Sequence, residues 1–244
     1  MPTPSPLLLM PMTAPKINRN SDRMLARKDI LRRQAGSFVC LLMLVSPPLP
    51  AAEGPVGITE SLPWVEVQHK GKTVRIERNQ SNANLIDLEY AITSRPCPPY
   101  CIQPMVLAAG VETIGELEVL GYLKRMSAGD DSILVIDSRD PEWLTKGMIP
   151  GAVSIPWTRL HAQHADPAAV AGILQLQFGV SRQGSLWNFS YARTLVFYCN
   201  GMWCGQSPTN IRALLAIGYP AHKLKWYRDG MQGWLLLGLT TVQP

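Results

Sequence analysis

Two cysteines, Cys199 and Cys204, share a short loop in the stretch VFYCNGMWCGQSP, Val196 to Pro208. The apolar run TLVFY, Thr194 to Tyr198, reads as a buried strand, and SPTNIRALLAIGY reads as a helix with Ser207 at its cap, Pro208 at its first position and Gly218 beyond its end. Ligands of open parallel sheets bind beyond the carboxyl ends of the strands, where Cys199 stands. A loop of backbone amides ahead of a helix N-terminus lowers a thiol pKa, and the thiolate is the reactive form. Gly201 and Gly205 let the loop curl so that its amides turn inward. Cys204 is close enough in sequence to resolve an oxidised Cys199 or to pair with it. A structural disulfide between the two is the competing reading, since exported cysteines usually pair.

A second pair, Cys97 and Cys101, lies in RPCPPYC, where Pro96, Pro98 and Pro99 impose a stiff non-helical loop. A disulfide stapling this loop is the leading reading, and redox chemistry akin to Cys-x-x-Cys is the alternative. A zinc site built from both pairs is disfavoured, because neither pair has the usual two-residue gap. No metal and no cofactor is expected.

The compartment follows from the N-terminus. Arg23, Arg27, Lys28, Arg32 and Arg33 form a basic cluster, followed by the apolar run SFVCLLMLV and then SPPLPAAEG. This is the pattern of a secretory signal peptide over residues 1–52, cleaved after Ala52, with Met24 as an alternative start. The apolar run is far shorter than the roughly 20 residues a bilayer span needs. No stable membrane span is therefore expected once the leader is removed, and Cys40 belongs to the apolar run. The expected location is the periplasm. Residues 1–52 also carry seven Lys/Arg against two Asp/Glu, which leaves 16 basic and 16 acidic residues in the remainder. The net charge of +5 thus belongs to the leader and marks no nucleic-acid surface.

The elements that would position these residues alternate. WVEVQHKGKTVRIER, Trp64 to Arg78, alternates apolar and polar residues about Lys70-Gly71 and predicts a β-hairpin within an extension over residues 53–110. TIGELEVLGYLKRM, Thr113 to Met126, predicts a helix capped by Thr113 with Glu116 three residues on. Its apolar face would be Ile114, Leu117, Leu120 and Leu123, with Glu116 and Glu118 in solvent. SILVIDSR, GAVSIPW, TLVFY and KLKWY predict four strands. Strands alternating with helices predict an α/β fold with a mainly parallel central sheet, flanked by helices and preceded by a small β-rich extension.

Four ordered segments resemble the rhodanese-like family. VIDSRDPEW is similar to its Asp-x-Arg signature, at Asp137 and Arg139. GMIPGAVSIP resembles its Gly-His-Ile-x-Gly-Ala segment, with Met148 in the usual His position. VFYCNGMWCGQSP matches the strand, cysteine loop and helix start, and YRDGMQGW resembles the closing element at Gly230 and Trp234, with Asp229 for its first Gly. The resemblance implies a rhodanese-like domain over residues 111–244, with Cys199 as acceptor of a sulfane sulfur. It also implies that Asn200, Gly201, Met202, Trp203, Gly205, Gln206 and Ser207 form the substrate loop. Two departures stand out: the loop is about two residues longer than the usual sulfurtransferase loop, and Gln206 stands near the place of the common closing Arg. Phosphatase relatives need that Arg for oxyanions, so phosphatase activity ranks low.

Asp137 and Arg139 read as a supporting ion pair. Trp157 and Trp203 are candidates for the pocket mouth, an exposed Trp203 could equally mark a partner surface, and Trp234 reads as core. His161 and His164 read as solvated loop residues. The sequence thus leads to an exported sulfurtransferase or persulfide carrier acting on a small sulfur-containing substrate or a thiol-bearing protein. The alternatives are a non-catalytic rhodanese-fold binding module and a thiol–disulfide exchange protein serving a periplasmic redox partner.

Overall fold

The computed structural model describes residues 54–244. The leader, Met24 and Cys40 lie outside the described residues. Among these residues no helix is long and apolar enough to cross a membrane.

The chain opens with a two-stranded antiparallel hairpin, β1 (Trp64–His69) and β2 (Lys72–Glu77), closed by the pair His69–Lys72. Its turn residues Lys70 and Gly71 both have positive φ, 50° and 75°, the backbone of a tight primed turn that matches the strand twist. Val65, Val67 and Ile76 form its buried face and pack with Val119, Leu120 and Leu123. The expected hairpin is therefore present, and it is part of the main core. A short helix, α1 (Leu88–Ala91), follows, capped by the Asp87 carboxylate, which accepts from the Glu89 amide at 2.9 Å. An irregular segment containing the Cys-Pro loop then leads into the α/β layers.

Those layers run β3 (Glu112–Ile114), α2 (Glu116–Ser127), β4 (Ile133–Asp137), α3 (Pro141–Leu144), β5 (Val153–Ser154) and α4 (Pro167–Leu176). A small hairpin, β6 (Ser181–Gln183) and β7 (Leu186–Asn188), precedes β8 (Thr194–Tyr198), α5 (Gln206–Ala216), β9 (Leu224–Tyr227) and α6 (Gly230–Leu236). The five-stranded sheet has the order β3-β9-β8-β4-β5, every neighbour parallel. Alternate residues of one strand feed opposite cores: Val135 joins α2, α6 and the hairpin, whereas Leu134 and Ile136 join α4 and α5. With both faces covered, β4 is buried at every position, as a central parallel strand should be. β8, in the middle of this sheet, delivers Cys199 at its carboxyl end.

Two helix starts differ from expectation. Thr113 lies in strand β3, paired with Trp226, and α2 begins only after Gly115, whose amide donates to Glu118 Oε2 at 3.0 Å. The inward stripe is consequently Val119, Leu120 and Leu123, while Leu117 is 52% exposed. Glu118 is in solvent as expected, but Glu116 is half-buried and accepts from the Tyr227 hydroxyl at 2.9 Å. In α5 the cap is Gly205, not Ser207. The Ser207 hydroxyl is instead hydrogen-bonded to the Ser138 hydroxyl at 3.1 Å, tying the helix to the end of β4.

Candidate active site

The loop after β8 is held from three sides. From α6, the amides of Met231 and Gln232 donate to the carbonyls of Cys199 and Asn200, both at 2.9 Å. From α5, Ser207 faces Cys199 with its main chain and its hydroxyl. From the N-terminal segment, the Gln103 amide donates to the Met202 carbonyl at 2.9 Å. Gly230, at φ 54°, lies so close to the loop that a Cβ there would sit 2.3 Å from the Cys199 carbonyl oxygen. Only glycine permits that approach.

Cys199 and Cys204 are both free and both buried. The Cys199 thiol donates to the Cys204 carbonyl at 3.4 Å. Burial pushes the Cys199 thiol up, but hydrogen bonds from the Cys204 thiol, from Ser207 and from the Gly201 main chain outweigh it and hold the pKa below the ordinary thiol value. Cys204 moves the other way: burial and the neighbouring Cys199 raise it well above that value. One thiol is thus prepared to ionise, and the other remains a proton-bearing donor beside it. The disulfide reading of this pair is overturned, because the loop turns Cys204 back toward Cys199 through its carbonyl and thiol hydrogen bonds without an S–S bond.

Gln206 links Cys204 to a carboxylate. While Cys199 is protonated, the Cys204 thiol donates to Gln206 Oε1 at 3.6 Å; Gln206 Nε2 donates to Asp140 Oδ2 at 2.6 Å, and Trp157 Nε1 donates to Asp140 Oδ1 at 2.9 Å. The loop is therefore closed onto α3 by a neutral amide.

Beneath the loop, Asp137 and Arg139 form a fully buried ion pair, with Arg139 Nη2 2.6 Å from Asp137 Oδ2. The other guanidinium protons go to the Gly147 carbonyl at 2.7 Å, the Trp143 carbonyl at 3.2 Å and the Tyr90 hydroxyl at 2.9 Å. Tyr90 in turn donates to Asn200 Oδ1 at 3.3 Å. Burial raises the Tyr90 pKa to about 12, so it stays a donor at neutral pH. The pair is a brace, and it acts on the loop through Tyr90.

The N-terminal segment also roofs the loop. Cys97 and Cys101 are joined as a disulfide. The Arg95 guanidinium lies 4.1 Å from the Trp203 ring centre and pairs with Glu89, and Tyr100 meets Trp203 edge-on at 5.5 Å. Trp203 is 8% exposed, which corrects the reading of an exposed partner surface. A cavity of about 340 Å³ opens between this roof, α3 and the cysteine loop, with Cys204 in its wall.

Residues 119–237 match the family model described as the rhodanese-like domain. The chain carries a rhodanese-like domain. No curated protein matches it. Among solved structures it is similar to a Rhodopseudomonas palustris protein of unknown function described as a possible tyrosine phosphatase, at 19% identity and TM-score 0.36, covering 56% of this chain and 88% of that one. It is also similar to a human single-domain sulfurtransferase, at 20% identity and TM-score 0.33, covering 52% and 96%. A third is a thiosulfate sulfurtransferase from Pseudomonas aeruginosa, at 20% identity and TM-score 0.35, covering 54% and 20%.

Within the rhodanese loop the expected residues divide. Gly201 and Ser207 turn toward Cys199, and Trp203, Gly205 and Gln206 line the cavity with Cys204. Asn200 spends its side-chain carbonyl on Tyr90, and Met202 is 42% exposed in a separate groove beneath the disulfide. Trp157 lines the cavity, Trp234 is core, and His161 and His164 pack edge-on against Trp157. Among the described residues no three His, Cys, Asp or Glu side chains converge. Sequence reasoning missed Tyr90, Arg95, Tyr100, Asp140 and Trp143. The proline-flanked cysteine pair was the available signal for the roof, and the Asp140-Pro141 helix start for the wall.

Proposed function

We propose that the protein is an exported sulfur carrier in which the Cys199 thiolate accepts a sulfane sulfur and passes it to a thiol. The observation that carries this reading is the pairing of two free thiols in one rhodanese loop with opposed pKa shifts. The Cys199 thiolate attacks the outer sulfur of a donor, an S–S bond forms at Sγ, and the donor's leaving group departs with the electron pair of the broken bond. The Cys204 thiol and the amides of the loop then hold the persulfide anion. An acceptor thiolate attacks the outer sulfur and returns Cys199 as thiolate. The leader pattern and the stapled Cys97–Cys101 loop support a periplasmic location, with the mature chain starting after Ala52.

The test is intact mass of the reduced mature protein after exposure to thiosulfate or polysulfide, beside Cys199→Ser. A gain of one sulfur atom that cyanide removes and the variant lacks is the expected result. If neither donor adds sulfur to the folded protein, the reading fails. A thiol–disulfide exchange role, favoured by the contact of the two thiols, would then show itself as a mixed disulfide trapped by Cys204→Ser.

A further inference from the structure

The cavity beside Cys204 is unusual in charge. Tyr100, Trp143, Trp157 and Trp203 supply four aromatic walls, and among the described residues its charged side chains are Asp140 and Glu142, with no Lys, Arg or His lining it. Arg139 is consumed by Asp137, and Arg95, on Trp203, is paired with Glu89 and lines the separate groove. The side-chain partners of Asp140 are the neutral Trp157 indole and Gln206 amide, so its negative charge faces the cavity without a counter-ion among the described residues. Aromatic faces beside carboxylates attract cations and repel anions. A volume near 340 Å³ also suits a small organic molecule.

We infer that this cavity selects a cationic acceptor thiol, one carrying an ammonium or quaternary ammonium group near its sulfur, over an anionic acceptor thiol. The inference rests on the sulfur-carrier reading and names the acceptor class of the cavity that borders that site through Cys204, behind which Cys199 is buried. The ammonium group lies among the aromatic walls while the acceptor thiolate attacks the outer sulfur of the Cys199 persulfide. The bond between that sulfur and Cys199 Sγ breaks, Sγ keeps the electron pair, and the acceptor leaves as its own persulfide with no net oxidation.

The experiment first loads Cys199 from polysulfide and verifies the persulfide by intact mass; failure at that stage sinks the sulfur-carrier reading itself. The loaded protein is then mixed with cysteamine, 2-mercaptoethanol and mercaptoacetate, and each rate is normalised to the same thiol's rate with an exposed small-molecule persulfide. Cysteamine is expected to exceed mercaptoacetate by about tenfold or more, the scale of one cation–π contact helped by a carboxylate. Glu142 is exposed, so Glu142→Gln leaves the fold intact and should narrow the ratio, and Glu142→Lys should narrow it further. Quenching of tryptophan fluorescence by tetramethylammonium, weakened in Trp143→Ala, reads the same site without any sulfur transfer. Equal normalised rates, or a preference for mercaptoacetate on a protein that loads normally, would overturn the inference.

Discussion

Gly230 Cα lies where any side chain would strike the Cys199 carbonyl: a Cβ at this position would be 2.3 Å from that oxygen and 2.9 Å from the Gly201 amide nitrogen. The helix that follows donates to that same carbonyl from Met231. The cysteine loop and α6 are thus interlocked at a contact with no room for a methyl group.

Gly230→Ala should therefore cost about 2–4 kcal/mol of stability, combining a positive φ with a backbone clash. Denaturant unfolding measures the loss. Sulfur loading of Cys199 should fall further than the folded fraction does, because the loop itself is displaced.

The thiol pair predicts a pH profile. Since the Cys199 pKa is held below the ordinary value, the ultraviolet absorbance of its thiolate should rise with pH with its midpoint below the ordinary thiol value of about 8.5. Cys204→Ala and Ser207→Ala each remove a hydrogen bond to the anion and should move that rise to higher pH. A wild-type titration in the ordinary thiol range would show that burial wins over the hydrogen bonds.

Asp137→Ala leaves the Arg139 charge buried without its carboxylate, and the expected cost is about 3–5 kcal/mol. Tyr90→Phe is milder, about 1–3 kcal/mol, since it removes one acceptor for Arg139 and one donor to Asn200. Calorimetric unfolding of both variants separates the brace from its link to the loop. Tyr90→Phe should also slow sulfur loading, which a purely remote stability effect would not.

Replacing Cys97 and Cys101 together by serine should lower stability by about 2 kcal/mol, the chain-entropy value for so short a loop. The clearer signature is optical. Trp203, packed between Arg95 and Tyr100, should shift its emission to the red as the roof loosens.

Much of this organisation could be read from residue order. The run ILVID has no polar residue before its last position, so it could only be a strand covered on both faces, and the five buried positions of β4 agree. The alternation of Trp64 to Arg78 likewise dictated a one-faced hairpin. Thr113 was misplaced because a three-residue edge strand carries too little periodicity to compete with the helix behind it, and its pairing with Trp226 is made across more than a hundred residues. The helix over Pro167–Leu176 had a legible start, Asp166-Pro167, with the Asp166 carboxylate accepting from the Ala169 amide, but its alanine-rich body shows little amphipathic contrast. Cys199 and its loop were legible as chemistry. Tyr90, Arg95 and Tyr100 were not, because nothing local to those residues shows that the segment folds back over Trp203.

The hairpin also meets the chain's far end. Asn79 donates to the Gly238 carbonyl, Thr240 to the Glu77 carbonyl, and Val242 pairs with Met148, while β1 and β2 cover α2. A fragment trimmed to the matched residues 119–237 would lose edge strand β3, the roof of the cavity and the cover over Val119 and Leu123. For anyone transplanting this cysteine site into another scaffold, the portable unit is the whole stretch from the hairpin to Val242.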